Sequence, residues 1–104
     1  MKRIALTLGA WMLAATANAA EPRDPRPLFE TYRCNLCHAD NETKAGPAFR
    51  DVAMAYRGQR SAQAQVARAI KRGQHGGGWW HMPPHPEASD AEVAAMTRYI
   101  LSLK

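Results

Sequence analysis

Cysteine is scarce in this chain: two residues in 104, Cys34 and Cys37, three positions apart. A disulfide between them would close a tiny loop and stabilise little. Strand patterning is missing too, since no segment alternates apolar and polar residues with period two. That excludes a sheet-built fold and with it the βαβ frame of a thioredoxin-like protein. No apolar run reaches the roughly 18 residues of a membrane-spanning helix. Basic residues outnumber acidic ones, for a formal charge of +5. The acids are interleaved among the arginines, so the concentrated basic stripe of a nucleic-acid binder is absent. There is no internal repeat, and the length allows one domain.

The N-terminus has a processing pattern. Lys2 and Arg3 precede an uncharged stretch, Ile4 to Ala17, rich in Leu, Ala, Trp and Met. Ala17-Asn18-Ala19 then supplies a small-x-small site. This predicts a secretory signal over 1–19, cleaved near Ala19 or Ala20, and an exported protein. Cleavage after Ala20 leaves about 84 residues, and loss of Lys2 and Arg3 lowers the charge to +3. So small a chain buries too little apolar surface to be comfortably stable unaided. A disulfide, a metal or a cofactor normally supplies the difference, which directs attention to the two cysteines.

What remains reads as short helices. Residues 20–27, with three prolines, form a tether, and the domain proper spans 28–104. Leu28, Phe29 and Tyr32 share a face of a first helix that should run into the cysteine segment. Pro25 or Pro27 suits its first turn. After a polar loop (Ala39 to Ala45) and Gly46-Pro47, the residues Phe49, Val52, Ala53 and Tyr56 recur at helical spacing up to Gly58. Ser61 is a candidate N-cap for a third helix carrying Val66, Ala69 and Ile70 and stopped by Gly73. Gly73 to Pro86 holds four glycines, three prolines, two tryptophans and three histidines, a composition that predicts no regular element. Ser89 and Glu92 fit a capping box, followed by Val93, Met96, Ile100 and Leu103 on one helical face. The fold class is all-α, three to four short helices with a long glycine-rich loop before the last.

Cys34-Asn35-Leu36-Cys37-His38 is the Cys-x-x-Cys-His haem-attachment pattern. Two thiols one helical turn apart can each add to a vinyl group on the same edge of a porphyrin. The next histidine is then carried under the ring toward iron. A structural zinc site would need four ligands and would leave the attached His38 unexplained. A catalytic dithiol would need the missing βαβ frame. One covalent haem c is therefore the expected cofactor. Among possible sixth ligands, Met96 lies on the apolar stripe of the last helix and Met54 sits mid-helix, so both read as packing. Met82 lies on the irregular loop, and Pro83-Pro84 stiffen the backbone after it. His81, one position away, is its competitor. A ligating histidine donates its other N–H to a nearby acceptor. The Pro47 carbonyl is a candidate, against an ordinary Gly-Pro turn before a helix.

Taken together, Leu28-Phe29, Cys34 to His38, Gly46-Pro47-Ala48-Phe49, Asp51-Val52-Ala53, Tyr56 with Gly58, Ile70-Lys71 with Gly73, Met82-Pro83-Pro84, Ser89-Asp90 and Ile100-Leu101-Ser102 resemble the small bacterial class I cytochromes c of the c-551/c-552 type. The resemblance covers about Asp24 to Lys104. It implies the class I cytochrome c fold, thioethers at Cys34 and Cys37, axial ligands His38 and Met82, and Pro47 as acceptor from His38. It implies a crossing of Phe29 with Tyr99 and a haem-propionate contact by Trp79 or Trp80. The family often has glycine before its first cysteine, where this chain has Arg33.

The function so indicated is a periplasmic one-electron carrier and not an enzyme, with His/Met ligation and a dry pocket raising its potential. It would be a monomer docking transiently on redox partners, with no nucleic-acid partner and no stable membrane insertion after cleavage. Arg57, Arg60, Arg68, Lys71 and Arg72 offer a positive rim for an acidic partner or are simply solvated helix faces. The rival classes are a haem gas sensor or small peroxidase with a labile sixth ligand, and a haem subunit of a larger redox enzyme.

Overall fold

A computed structural model describes residues 21–75 and 81–104, together with residues 2, 4, 5 and 9. Most of the predicted signal, and the pair Trp79 and Trp80, lie outside the described residues. In chain order the elements are α1 (Arg26–Thr31), a 3₁₀ turn (Cys34–Leu36), α2 (Phe49–Tyr56), α3 (Ala62–Arg72), β1 (Gln74–His75), β2 (His81–Met82) and α4 (Asp90–Ser102). Among the described residues no helix is long and apolar enough to cross a membrane.

The other helices pack on α4. Its start is locally specified: Ser89 Oγ accepts the Glu92 N–H at 3.1 Å, and Glu92 Oε1 accepts the Ser89 N–H at 3.0 Å. Such a cap is worth about 1 kcal/mol. Asp90 and Glu92 place acids in the first turn, where the helix dipole favours them. Val93, Ala95, Met96, Thr97 and Ile100 are buried along the helix. Against this face come Phe29 from α1, Phe49 from α2, and Val66 with Ile70 from α3. The ring of Phe29 lies 5.0 Å from that of Phe49 and 5.4 Å from that of Tyr99, both tilted. Helices this short gain most of their stability from such packing rather than from intrinsic propensity.

Two hydrogen bonds tie the early part of the chain to α4. Tyr32 Oη donates to Glu92 Oε1 at 2.8 Å, and Tyr99 Oη donates to Asp40 Oδ2 at 2.6 Å. At the tether, Glu21 forms an ion pair with Arg98. Asp24 accepts the backbone N–H of Arg26 and is bridged by its guanidinium at 2.9 and 3.0 Å.

Four local expectations are revised. α1 begins at Arg26, inside the expected tether, and stops at Thr31 instead of running into the cysteines. The break is Arg33, whose φ of 60° and ψ of 25° are left-handed. A helix cannot continue through that conformation. Ser61 stands before α3, but its hydroxyl does not cap; it accepts from Gln65 Nε2 at 2.6 Å instead. Met54 is 56% exposed rather than packed, because α2 turns Phe49 and Ala53 inward. The Gly73 to Pro86 segment does carry regular structure. β1 and β2 pair antiparallel, Gln74 with Met82 and His75 with His81. Two-residue strands are too short for alternation to register in sequence.

Arg33→Gly is expected to raise unfolding stability by about 0.5–1 kcal/mol, since relief of the left-handed strain exceeds the added chain entropy; denaturant midpoints of the two proteins measure it. Glu92 gives a pH dependence. The Ser89 N–H first, and then the Tyr32 hydroxyl, hold its carboxyl below the usual 4.5. A lowered folded value means that its stabilisation is full above the usual value and is lost as pH falls through the lowered one. Glu92→Gln should therefore flatten the acid limb of the stability–pH curve, measured by denaturation at a series of acidic pH values.

Candidate cofactor site

The left-handed Arg33 redirects the chain into the 3₁₀ turn, and both ends of the motif fold back on Cys34. Its carbonyl accepts the Cys37 N–H at 3.1 Å and the His38 N–H at 2.9 Å. The next loop is stapled to this turn. Gly46 N–H donates to Cys37 O at 2.8 Å, and Lys44 Nζ donates to Asn35 O at 2.9 Å. Phe49 N–H and Arg50 N–H donate to Ala39 O and Asp40 O at 2.9 and 3.0 Å, so α2 starts from the same loop.

These staples seat the His38 ring. Its Nδ1 lies 2.7 Å from Pro47 O. A carbonyl only accepts, so Nδ1 carries the proton and Nε2 keeps its lone pair. The Phe49 ring stacks on the imidazole, 5.0 Å away and 17° from parallel. Gly46 is closer still: a Cβ there would lie 2.5 Å from His38 Cε1 and 2.9 Å from Nδ1.

A cavity of about 920 Å³ opens beside this ring, lined by Cys34, Cys37, His38, Gly46 and Pro47 and also by Met82, Pro83 and Pro84. Phe49, Val52, Val66, Ile70, Met96 and Ile100 supply apolar wall. The volume is at the upper end of the ~300–1,000 Å³ usual for cofactor sites. Met82 is half-buried and packs against the core, whereas His81 is exposed. Both line the cavity, and burial is what distinguishes them. Three restraints fix the segment. Met82 pairs with Gln74. The His85 N–H donates to Ile70 O and Lys71 O at 3.1 and 3.2 Å. Gly73, at φ 75°, lets the loop approach so near that a Cβ would stand 2.6 Å from Met82 O.

Burial pushes the Cys34 thiol up, opposite to the lowered value of a reactive dithiol. Among the described residues no three His, Cys, Asp or Glu gather to hold a metal ion, so a four-ligand zinc site finds no support. The donors present suit a haem: two thiols, an imidazole with its second nitrogen engaged, and a thioether on one large apolar cavity.

Comparison with known proteins agrees. The family model described as cytochrome c oxidase, cbb3-type, subunit III matches residues 20–100. Cytochrome c-551 of Pseudomonas aeruginosa is 39% identical over 89 residues, 85% of each chain. This chain belongs to the class I cytochromes c. Cytochrome c-552 of Hydrogenobacter thermophilus is 40% identical over 79 residues, 74% of this chain and 79% of that one. The crystal structure of wild-type Nitrosomonas europaea cytochrome c552 superposes with a TM-score of 0.71 at 35% identity, covering 76% of this chain and 99% of that one. This cytochrome is accordingly a small electron carrier with one covalently bound haem c.

Several contributors to the site have no signal in sequence. Gly46 and Gly73 read as a loop end and a helix stop, yet each marks a backbone approach that a side chain would block. His75, His81 and His85 also line the cavity, and His85 Nδ1 is buried with no partner among the described residues. Lys71 leaves the basic rim: its ammonium donates to Ala88 O and lies 3.4 Å from Asp90 Oδ1. Arg57, Arg60, Arg68 and Arg72 are exposed.

Gly46→Ala should cost about 1–3 kcal/mol, the usual penalty for overpacking, because the new methyl meets the His38 ring. Chemical denaturation of the haem-loaded variant tests this. Unchanged stability with an unchanged haem spectrum would mean that the ring has room to shift.

Proposed function

We propose that Cys34 and Cys37 carry the two thioether bonds to haem and that His38 and Met82 are its axial ligands. In this reading residues 1–19 are removed on export, and the 28–104 domain shuttles single electrons between periplasmic redox proteins. The observation that carries it is the seat of His38, with Nδ1 at 2.7 Å from Pro47 O and the ring between Gly46 and Phe49. Pro47 orients the imidazole and leaves Nε2 as the donor atom. Met82, held against the same cavity, supplies the second donor. When bound, the haem supplies the one-electron couple.

The chain's own residues have three tasks. His38 and Met82 keep one ligand set in both redox states, which keeps reorganisation small. The apolar wall excludes water and disfavours added positive charge, which raises the potential. The exposed arginines of α3 and the preceding turn steer acidic partners into weak, transient contact. No residue is assigned a catalytic role. The family resemblance assigns a propionate contact to Trp79 or Trp80. A second reading, a haem subunit held on a larger enzyme, is favoured by the description of the matching family model. Size-exclusion chromatography of a native extract separates the two: a free monomer supports the shuttle, co-elution with a large complex the subunit.

Absorption and magnetic circular dichroism of the exported protein provide the main test. A c-type α band with the near-infrared charge-transfer band of thioether-ligated ferric iron is expected. Met82→Ala should abolish the near-infrared band and make carbon monoxide binding by the reduced protein fast. A wild-type spectrum lacking that band would move the sixth ligand off Met82 and favour a sensor or peroxidase.

A further inference from the structure

The β1–β2 ladder sets His75 directly opposite His81. Opposed residues of an antiparallel pair project from the same face, with Cβ atoms about 4.5–5.5 Å apart. Both side chains are exposed. Their ring centroids are 5.4 Å apart and their planes meet at 44°. That is not the parallel stack of two rings sharing apolar contact. Two imidazoles binding one tetrahedral ion through nitrogens at about 2.0–2.1 Å would hold their centroids about 5 Å apart. The observed centroid spacing is close to this. Neutral imidazole suits zinc, copper and nickel ions.

We propose that His75 and His81 form a two-histidine site for a divalent transition-metal ion at the exposed edge of the haem cavity. Among the described residues no third His, Cys, Asp or Glu joins them, so water completes the coordination. The site is distinct from the axial position of the haem. His81 and Met82 both line the cavity, but His81 is exposed beside His75 whereas Met82 packs on the core. An ion at this pair cross-links β1 to β2, the strand that carries Met82. Binding to the folded form alone then stabilises it by mass action.

The proposal rests on Met82 as iron ligand, because His81 must be available to the second metal. Zinc is the probe, being redox-inert, and is titrated by calorimetry into the haem-loaded protein. One ion per chain is expected, with a zinc-dependent rise in Tm. Loss of an outer-shell partner alone weakens metal sites by about tenfold or more, so His75→Ala and His81→Ala should each weaken binding at least that much and remove the Tm rise. Equal zinc affinity in the parent and in His75→Ala overturns the proposal. The near-infrared band is recorded on the same sample. Absent zinc binding with the band present overturns the two-histidine site alone. Absent zinc binding with the band missing overturns it together with the Met82 assignment.

Discussion

The Pro47 carbonyl has only lone pairs to offer, so its 2.7 Å approach to His38 decides which ring nitrogen holds the proton. That choice depends on the loop between them. Gly46 N–H on Cys37 O closes it, and the absence of a side chain at Gly46 lets the backbone lie against the ring. Phe49 completes the seat from the first residue of α2. The same ring packs on Phe29, so the orientation of one imidazole is continuous with the main core.

Met82, proposed as the second donor, is held by different means. Among the described residues, no closed loop like that of His38 surrounds Met82. A two-residue ladder, a glycine at positive φ and the His85 N–H bonded to the end of α3 fix it instead. All three restraints tie the Met82 segment to the C-terminal end of α3 or to the two residues after it, and α3 packs on α4. The cavity is therefore bounded by two segments fastened separately to the same helix. This division suits a carrier: a local motif binds and orients at one place, and a tertiary arrangement delivers a side chain at another.

Much of the architecture could be read from the sequence because it is locally encoded. The four helices follow apolar stripes, and the Ser89–Glu92 box marks the start of α4 where both of its reciprocal bonds occur. The Phe29–Tyr99 contact implied by the family resemblance is also present. The haem motif is a five-residue pattern and needs no tertiary knowledge. What escaped depends on distant neighbours. Met54, read as helix packing, is exposed because of the rotation of α2. Lys71 looked like surface charge until Ala88 and Asp90 came beside it. The ladder at Met82 was hidden among glycines and prolines, and the significance of Gly46 and Gly73 lies wholly in what approaches them.

The two tyrosine hydrogen bonds set how this small chain acquires its shape. Tyr32 reaches a carboxylate 60 residues further on, and Tyr99 reaches one 59 residues back. Together with the aromatic crossing of α1 on α4, they fasten the beginning of the domain to its end like a clasp. Contacts of that sequence separation charge the full entropy of closing the intervening loop before they return any stability. The clasp therefore raises the contact order above that of a helical hairpin of equal size and slows folding accordingly. It also makes the two ends interdependent. α1 is too short to persist alone, so it depends on the Tyr32 bond and on the Phe29–Tyr99 contact with α4.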